Sequence, residues 1–154
     1  MKIESRAFLP GSRIPQTYTC DGDRRLSPPL AISEIPEHTE SLTLIMDDPD
    51  VPVAIMPEGL FTHWILFNIP PETLSIPEGG IVGIPGANTR GDMHYTGPCP
   101  PPTHEPKTHR YIFKLYALDT ELELEEGASK GEVEAEMEGH VLATAELIGT
   151  YSRA

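Results

Sequence analysis

The stretch Phe61-Thr62-His63-Trp64-Ile65-Leu66-Phe67-Asn68-Ile69-Pro70 decides the fold class. Its apolar run is nearly continuous, which reads as a central β-strand covered on both faces. Working outward, Ser41-Leu42-Thr43-Leu44-Ile45-Met46 mixes alternation with β-branched residues and leads straight into Asp47-Asp48-Pro49-Asp50-Val51-Pro52, which cannot continue a ladder. The carboxylates of Asp48 and Asp50 are therefore set at a strand end, and His63 opens the next strand. Further on, His109 to Leu118 (HRYIFKLYAL) alternates, with Tyr111, Phe113, Leu115 and Ala117 on one face and Ile112, Lys114, Tyr116 and Leu118 on the other.

The remaining segments fit the same class. Ile3 to Thr19 reads as extended, turning at Thr19-Cys20-Asp21-Gly22, and the prolines of Ser27-Pro28-Pro29-Leu30 enforce an extended entry to a strand near Leu30 to Ser33. Residues 70–105 are rich in Gly, Pro, Asn and Asp, and a loop of that length inside a compact domain usually has a function. Ser129 is placed to cap a helix from about Lys130 to Glu138, with Glu132 set for a capping box and Gly139 ending it. Glu132, Glu134, Glu136 and Glu138 give that helix a solvated face. Residues 140–152 have helical propensity, but Val141, Thr144, Ile148 and Thr150, together with Gly149, favour a final strand over Ala143 to Ser152. The expectation is one mainly β domain, 1–154, with a single substantial helix.

Composition narrows the function. A chain of 154 residues can bury a core without disulfide staples. A net charge of −13, with eleven lysines and arginines spread along the chain, argues against a nucleic-acid partner, since phosphate binding needs a basic surface. No apolar run reaches the ~18 residues a membrane span needs, and MKIESRAFLPGS has only a short apolar patch, so a cytoplasmic protein without integral membrane association is expected. Cys20 and Cys99 lack zinc-knuckle spacing and read most simply as free, buried thiols in a reducing compartment, although they could meet in space. His38, His94, His104 and His140 read as surface or loop residues, and Met46, Met56 and Met93 as packing.

Taken singly, Asp48 and Asp50 are turn formers before proline, and His63 is a core histidine with a satisfied hydrogen bond. Taken with the cluster His109-Arg110-Tyr111, they are polar groups at strand ends or loops, and such ends can converge on one rim as a concave pocket. Against an enzyme, the sequence has no nucleophile elbow, HExxH or glycine-rich phosphate loop. Cys99 with a histidine is the only nucleophile pair on offer.

The combination of "YTCDGDRRLSPPL" (18–30), "DPDVP" (48–52), "HWILFNIP" (63–70), "NTRGDMHYTGPCPPP" (88–102), "HRYIFKLYALD" (109–119) and "MEGHVLATAELIGTY" (137–151) resembles the phosphatidylethanolamine-binding protein family, in its bacterial and archaeal Raf kinase inhibitor-like branch. The resemblance covers roughly residues 8 to 152. It implies a large antiparallel sheet packed on a smaller one, with a short helix near the C-terminus, and a pocket for phosphate-like or carboxylate anions. The implied ligand groups are Asp48, His63, Gly97, Pro98, His109 and Tyr111, with Asp50 holding the loop behind them and neither metal nor cofactor. The resemblance also implies that Cys20 and Cys99 approach each other on the pocket side, bonded or not. Two departures are Lys107-Thr108, where many members have glycine before the His-Arg-Tyr motif, and Ile32, where many have tryptophan.

The functional expectation is a non-catalytic, regulatory anion-binding protein whose ligand is a phospholipid headgroup or a phosphorylated protein group. Inhibition of a kinase or a protease stands beside it, with a homodimer as one admissible state. The alternative is a small hydrolase using Asp48 and His63 as base and orienter, with or without a metal.

The chemistry suits an anion: imidazoles, a phenol and backbone N–H groups at the glycine turn would donate, and Asp48 would have to share a proton with the ligand or a histidine. Affinity is then expected to weaken as pH rises through the histidine titration.

Overall fold

The computed structural model describes residues 1–153. Eight strands, β1 (Lys2–Glu4), β2 (Leu30–Ser33), β3 (Ser41–Asp48), β4 (Phe61–Ile69), β5 (Ser75–Ile76), β6 (Ile84–Pro85), β7 (His109–Leu118) and β8 (Val141–Tyr151), are joined by one helix, α1 (Lys130–Met137), and a 3₁₀ turn at Gln16–Tyr18. They form a three-stranded sheet, β1-β2-β5, and a five-stranded sheet, β6-β4-β3-β7-β8, with every strand pair antiparallel. The mainly β fold with two sheets and one short helix is as the sequence implied.

The near-continuous apolar runs of β3 and β4 have a physical reason, because both faces of the large sheet are covered. One face packs through Leu42, Leu44, Met46, Trp64, Leu66, Phe113 and Leu115 against Ile3, Leu30, Ile32 and Ile76 of the small sheet. The other packs Ile45, Ile65 and Phe67 against Leu122, Val133 and Met137, so α1 caps the second face. Burying such side chains is worth about 1.5–3 kcal/mol each. The small sheet is half solvated, so β2 alternates buried and exposed.

Several local readings need adjustment. β4 is interior to the large sheet as read, between β6 and β3, and β3 is the middle of the five. Within residues 3–19 regular strand is confined to β1, and the 3₁₀ turn at Gln16–Tyr18 interrupts the rest, with Tyr18 buried. The 70–105 stretch holds the two-residue strands β5 and β6. Ser129 does cap α1, its Oγ accepting from Glu132 N while Glu132 Oε1 accepts from Ser129 N, both at 3.2 Å. Gly139, at φ 83°, turns the chain back into β8 with a conformation that costs glycine least.

Candidate functional site

In the large sheet, β3 lies between β4 and β7 and runs antiparallel to both, so its C-terminal end meets the N-terminal ends of its two neighbours. That places Asp48 (last residue of β3), His63 (third of β4), and His109 and Tyr111 (first and third of β7) on one rim. The β3/β4 register jumps from Met46↔Trp64 to Asp47↔Thr62, so His63 is the extra residue of a β-bulge. Strict alternation would send His63 to the α1 side, opposite its neighbour Trp64. The bulge re-aims it instead, so its ring centroid lies 5.3 Å from that of Tyr111.

All four side chains line a cavity of about 380 Å³. His109 Nδ1 and Asp48 Oδ2 are 2.7 Å apart, with both residues buried, and the imidazole donates to the carboxylate. The other Asp48 oxygen accepts from Asp50 N at 2.8 Å, so Asp48 is both turn former and pocket group. His63 Nδ1 donates to Thr96 O at 2.6 Å. Burial holds the His63 imidazole below its usual range, outweighing the upward pull of the Thr96 carbonyl and Asp48. Near neutrality its Nε2 therefore carries a lone pair. Burial first, and then the Asp48 charge, push the Tyr111 hydroxyl up, so it remains a proton donor.

Asp50 does not line the cavity. Its two carboxylate oxygens accept from Arg110 N, Nε and Nη2 at 2.8, 2.9 and 2.8 Å, which clamps the Pro49–Leu60 loop to β7. Arg110 holds the Asp50 carboxyl below the ordinary range.

Gly97 lines the cavity, but Pro98 does not; the Pro98 carbonyl accepts from Cys20 N at 3.1 Å and so holds the wall. Gly97 N is committed to Arg24 O at 2.7 Å, and this removes it as an anion donor. What glycine supplies at 97 is close approach, since a Cβ there would lie 2.3 Å from Tyr18 O and 3.0 Å from Thr19 Cα. Gly97→Ala should therefore cost about 1–3 kcal/mol of stability by overpacking, read from urea denaturation. An unchanged midpoint would refute the close-approach role.

Cys20 and Cys99 are disulfide-bonded, with their Cα atoms 5.4 Å apart. Free, buried thiols are thus replaced by a bonded pair at the cavity mouth, with Cys99 exposed. The approach itself was expected.

Sequence reasoning missed Arg24, Arg90, Phe61, Val51 and Ile55 as lining residues, and it took Met56 for packing alone. The available signal was the string of apolar side chains in Val51-Pro52-Val53-Ala54-Ile55-Met56, inside a loop that leaves Val53 and Ile55 exposed. Of the other histidines, His38, His104 and His140 are exposed and His94 is partly buried; His140 pairs with Asp119 at 2.7 Å.

Fold and site together define a two-sheet antiparallel sandwich with an Asp/His/Tyr cavity at one strand-end rim. The chain belongs to the phosphatidylethanolamine-binding protein family, whose sequence profile matches residues 4–152. It is 46% identical over 154 residues to a UPF0098 protein of Chlamydia muridarum and 46% identical over 160 residues to one of Methanothermobacter thermautotrophicus, with 99% of each chain covered in both. Among solved structures it is similar to a phosphatidylethanolamine-binding protein homologue from Chlamydia trachomatis, with TM-score 0.93, 43% identity and coverage of 99% and 97% of the two chains. It is also similar to E. coli YbcL, described as a member of the mammalian family, with TM-score 0.86, 27% identity and coverage of 99% and 98%.

Proposed function

We propose that this protein binds a phosphate-like or carboxylate anion in the Asp48/His63/His109/Tyr111 cavity without turning it over, and that it acts as a regulatory binding module. One observation carries the reading: His109 Nε2 and Tyr111 Oη are buried and have no hydrogen-bond partner among the described residues, yet both residues line the cavity. Each such group costs about 1–3 kcal/mol unless something satisfies it. A single anion oxygen, or two from one phosphoryl group, would accept from the phenol and share a proton with His109 Nε2, whose other ring nitrogen is bonded to Asp48.

Several features favour binding over hydrolysis. Asp48 is paired with His109 and His63 with the Thr96 carbonyl, so the Asp48/His63 couple of the hydrolase alternative is not formed. The Cys99 sulfur is bonded to Cys20 and offers no thiolate. A phosphorylated protein group and a phospholipid headgroup present the same anion, and inhibition of a kinase or a protease would follow if the cavity captured such a group on that partner. A cytoplasmic location, with no helix among the described residues long and apolar enough to cross a membrane, fits the sequence. The Cys20–Cys99 bond fits an oxidising compartment better, and trapping thiols in fractionated cells decides between them.

The test is a titration with inorganic phosphate followed by histidine-ring NMR, comparing wild type with His63→Ala. Shifts of the His63 and His109 rings, lost in the variant, are expected. Affinity should also rise as pH falls, because the depressed His63 ring presents a lone pair to the ligand and binding takes up a proton, which calorimetry in buffers of different ionisation enthalpy detects. The sign for stability follows from linkage. The unfolded His63 ring titrates near 6.5 and the buried one lower, so the native state loses stability as pH falls from about 6.5 through the folded value. Bound phosphate should offset that loss. Unchanged ring signals, or pH-independent binding with no proton uptake, would overturn the reading.

A further inference from the structure

A cavity of about 380 Å³ is far larger than a lone phosphate needs, given that one water takes about 30 Å³. Volumes of that size belong to organic ligands. The floor is polar, yet Val51, Ile55, Met56 and Phe61 form an apolar wall above it, with Ile55 half exposed. An inorganic ion makes no use of such a wall.

The mouth has two cations unpaired among the described residues. Net charge is −13, and of eleven lysines and arginines, five (Lys2, Arg110, Lys114, Lys130 and Arg153) are in ion pairs. Arg13 lies over the Tyr151 ring at 4.4 Å. Arg24 and Arg90 line the cavity, and neither has an ion-pair partner among the described residues. Their acidic sequence neighbours do not neutralise them directly: Asp23 accepts from Arg25 N at 3.0 Å, and neither Asp23 nor Asp92 is ion-paired with a guanidinium. The one lining carboxylate, Asp48, is committed to His109 and Asp50.

Both arginines are carried on fixed backbone. The Arg24 carbonyl accepts from Gly97 N at 2.7 Å. Arg90 N donates at 3.0 Å to Asn88 Oδ1, and the amide nitrogen of Asn88 bonds to His63 O and Thr96 Oγ1, so the Arg90 turn is braced against the backbone of the floor residues. Two cations from separate chain segments thus stand above a floor of unpartnered groups, with an apolar wall alongside.

We propose that the cavity selects an organic ligand with two anionic groups joined by an apolar spacer, one group on His109 and Tyr111 at the floor and the other held by Arg24 and Arg90 at the mouth. This rests on the anion-binding reading of the floor. The spacer lies on Phe61, Ile55 and Met56, which sets the ligand class apart from free phosphate.

Calorimetric titration of the full chain with phenyl phosphate and with 4-carboxyphenyl phosphate, at low ionic strength, tests it. The second compound should bind about tenfold more tightly, the scale expected of guanidinium–carboxylate contacts that are only partly screened. In the double variant Arg24→Gln/Arg90→Gln the two compounds should bind within about twofold of each other. Both positions are exposed, so the variant should melt as the wild type does. Equal affinities in the wild type, or a preference that survives in the double variant, would overturn the two-anion inference and leave the floor assignment standing. Failure of both compounds to bind the wild type would overturn the floor assignment, and this inference with it.

Discussion

Asp48→Ala should abolish phosphate binding and lower the folding free energy by about 3 kcal/mol, the scale of leaving buried hydrogen-bonding groups without their partner. Asp48 accepts from two donors at once, His109 Nδ1 at 2.7 Å and Asp50 N at 2.8 Å. Without it, His109 is buried with both ring nitrogens unpartnered, because its Nε2 already has no partner. The Asp50 turn that carries the Arg110 clamp also loses its anchor. Asp48→Asn keeps the shape and one acceptor, so it should recover part of the stability. Urea denaturation and a phosphate titration on both variants measure the two effects separately. An Asp48→Ala variant that binds phosphate like the wild type would remove Asp48 from the site, and an unchanged midpoint would mean the pair contributes nothing to folding.

The second large effect is expected from the disulfide. Cys20 and Cys99 are 79 positions apart, and closing a loop of that length removes about 4.5 kcal/mol of unfolded-chain entropy in the loop-closure account. Reduction, or Cys20→Ser/Cys99→Ser, should lower stability by up to that amount. Part of the anchoring survives, since Cys20 N donates to Pro98 O at 3.1 Å and Tyr95 Oη to Tyr18 O at 2.8 Å. The wall should therefore stay in place in the reduced native state, and the loss should be seen chiefly in denaturant. Identical denaturation curves with and without dithiothreitol, after thiol counting confirms reduction, would rule the effect out.

Strand content was legible because burial writes itself into sequence period. The alternation in 109–118 separates the buried face from the half-exposed one as observed, and the nearly continuous apolar run of 61–70 matches a strand covered on both sides. The four polar residues of the candidate site were legible as strand-end residues, which antiparallel pairing then gathers. The bulge at His63 was not, because it arises from a mismatch between two strands, and neither strand's pattern records it. Arg24 and Arg90 were equally hidden. Each lies in a polar turn with no periodicity, and only backbone bonds between distant segments, such as Gly97 N to Arg24 O, bring them to one mouth. Gly97 was read as a donor, yet its N–H is used to build the wall, and sequence cannot say which partner a backbone group takes.

The Asp50–Arg110 clamp has an evolutionary consequence. It fastens the Pro49–Leu60 loop at its base, directly beside Asp48, and leaves the tip around Val53 and Ile55 exposed. On the far side of the mouth, the Cys20–Cys99 bond does the same for the exposed 102–108 segment. Substitutions and length changes beyond those two fastenings should leave the Asp48–His109 pair, and the bulge that orients His63, in place. If the cavity binds as proposed, loop tips are where a descendant could change what it recognises while the floor stays the same.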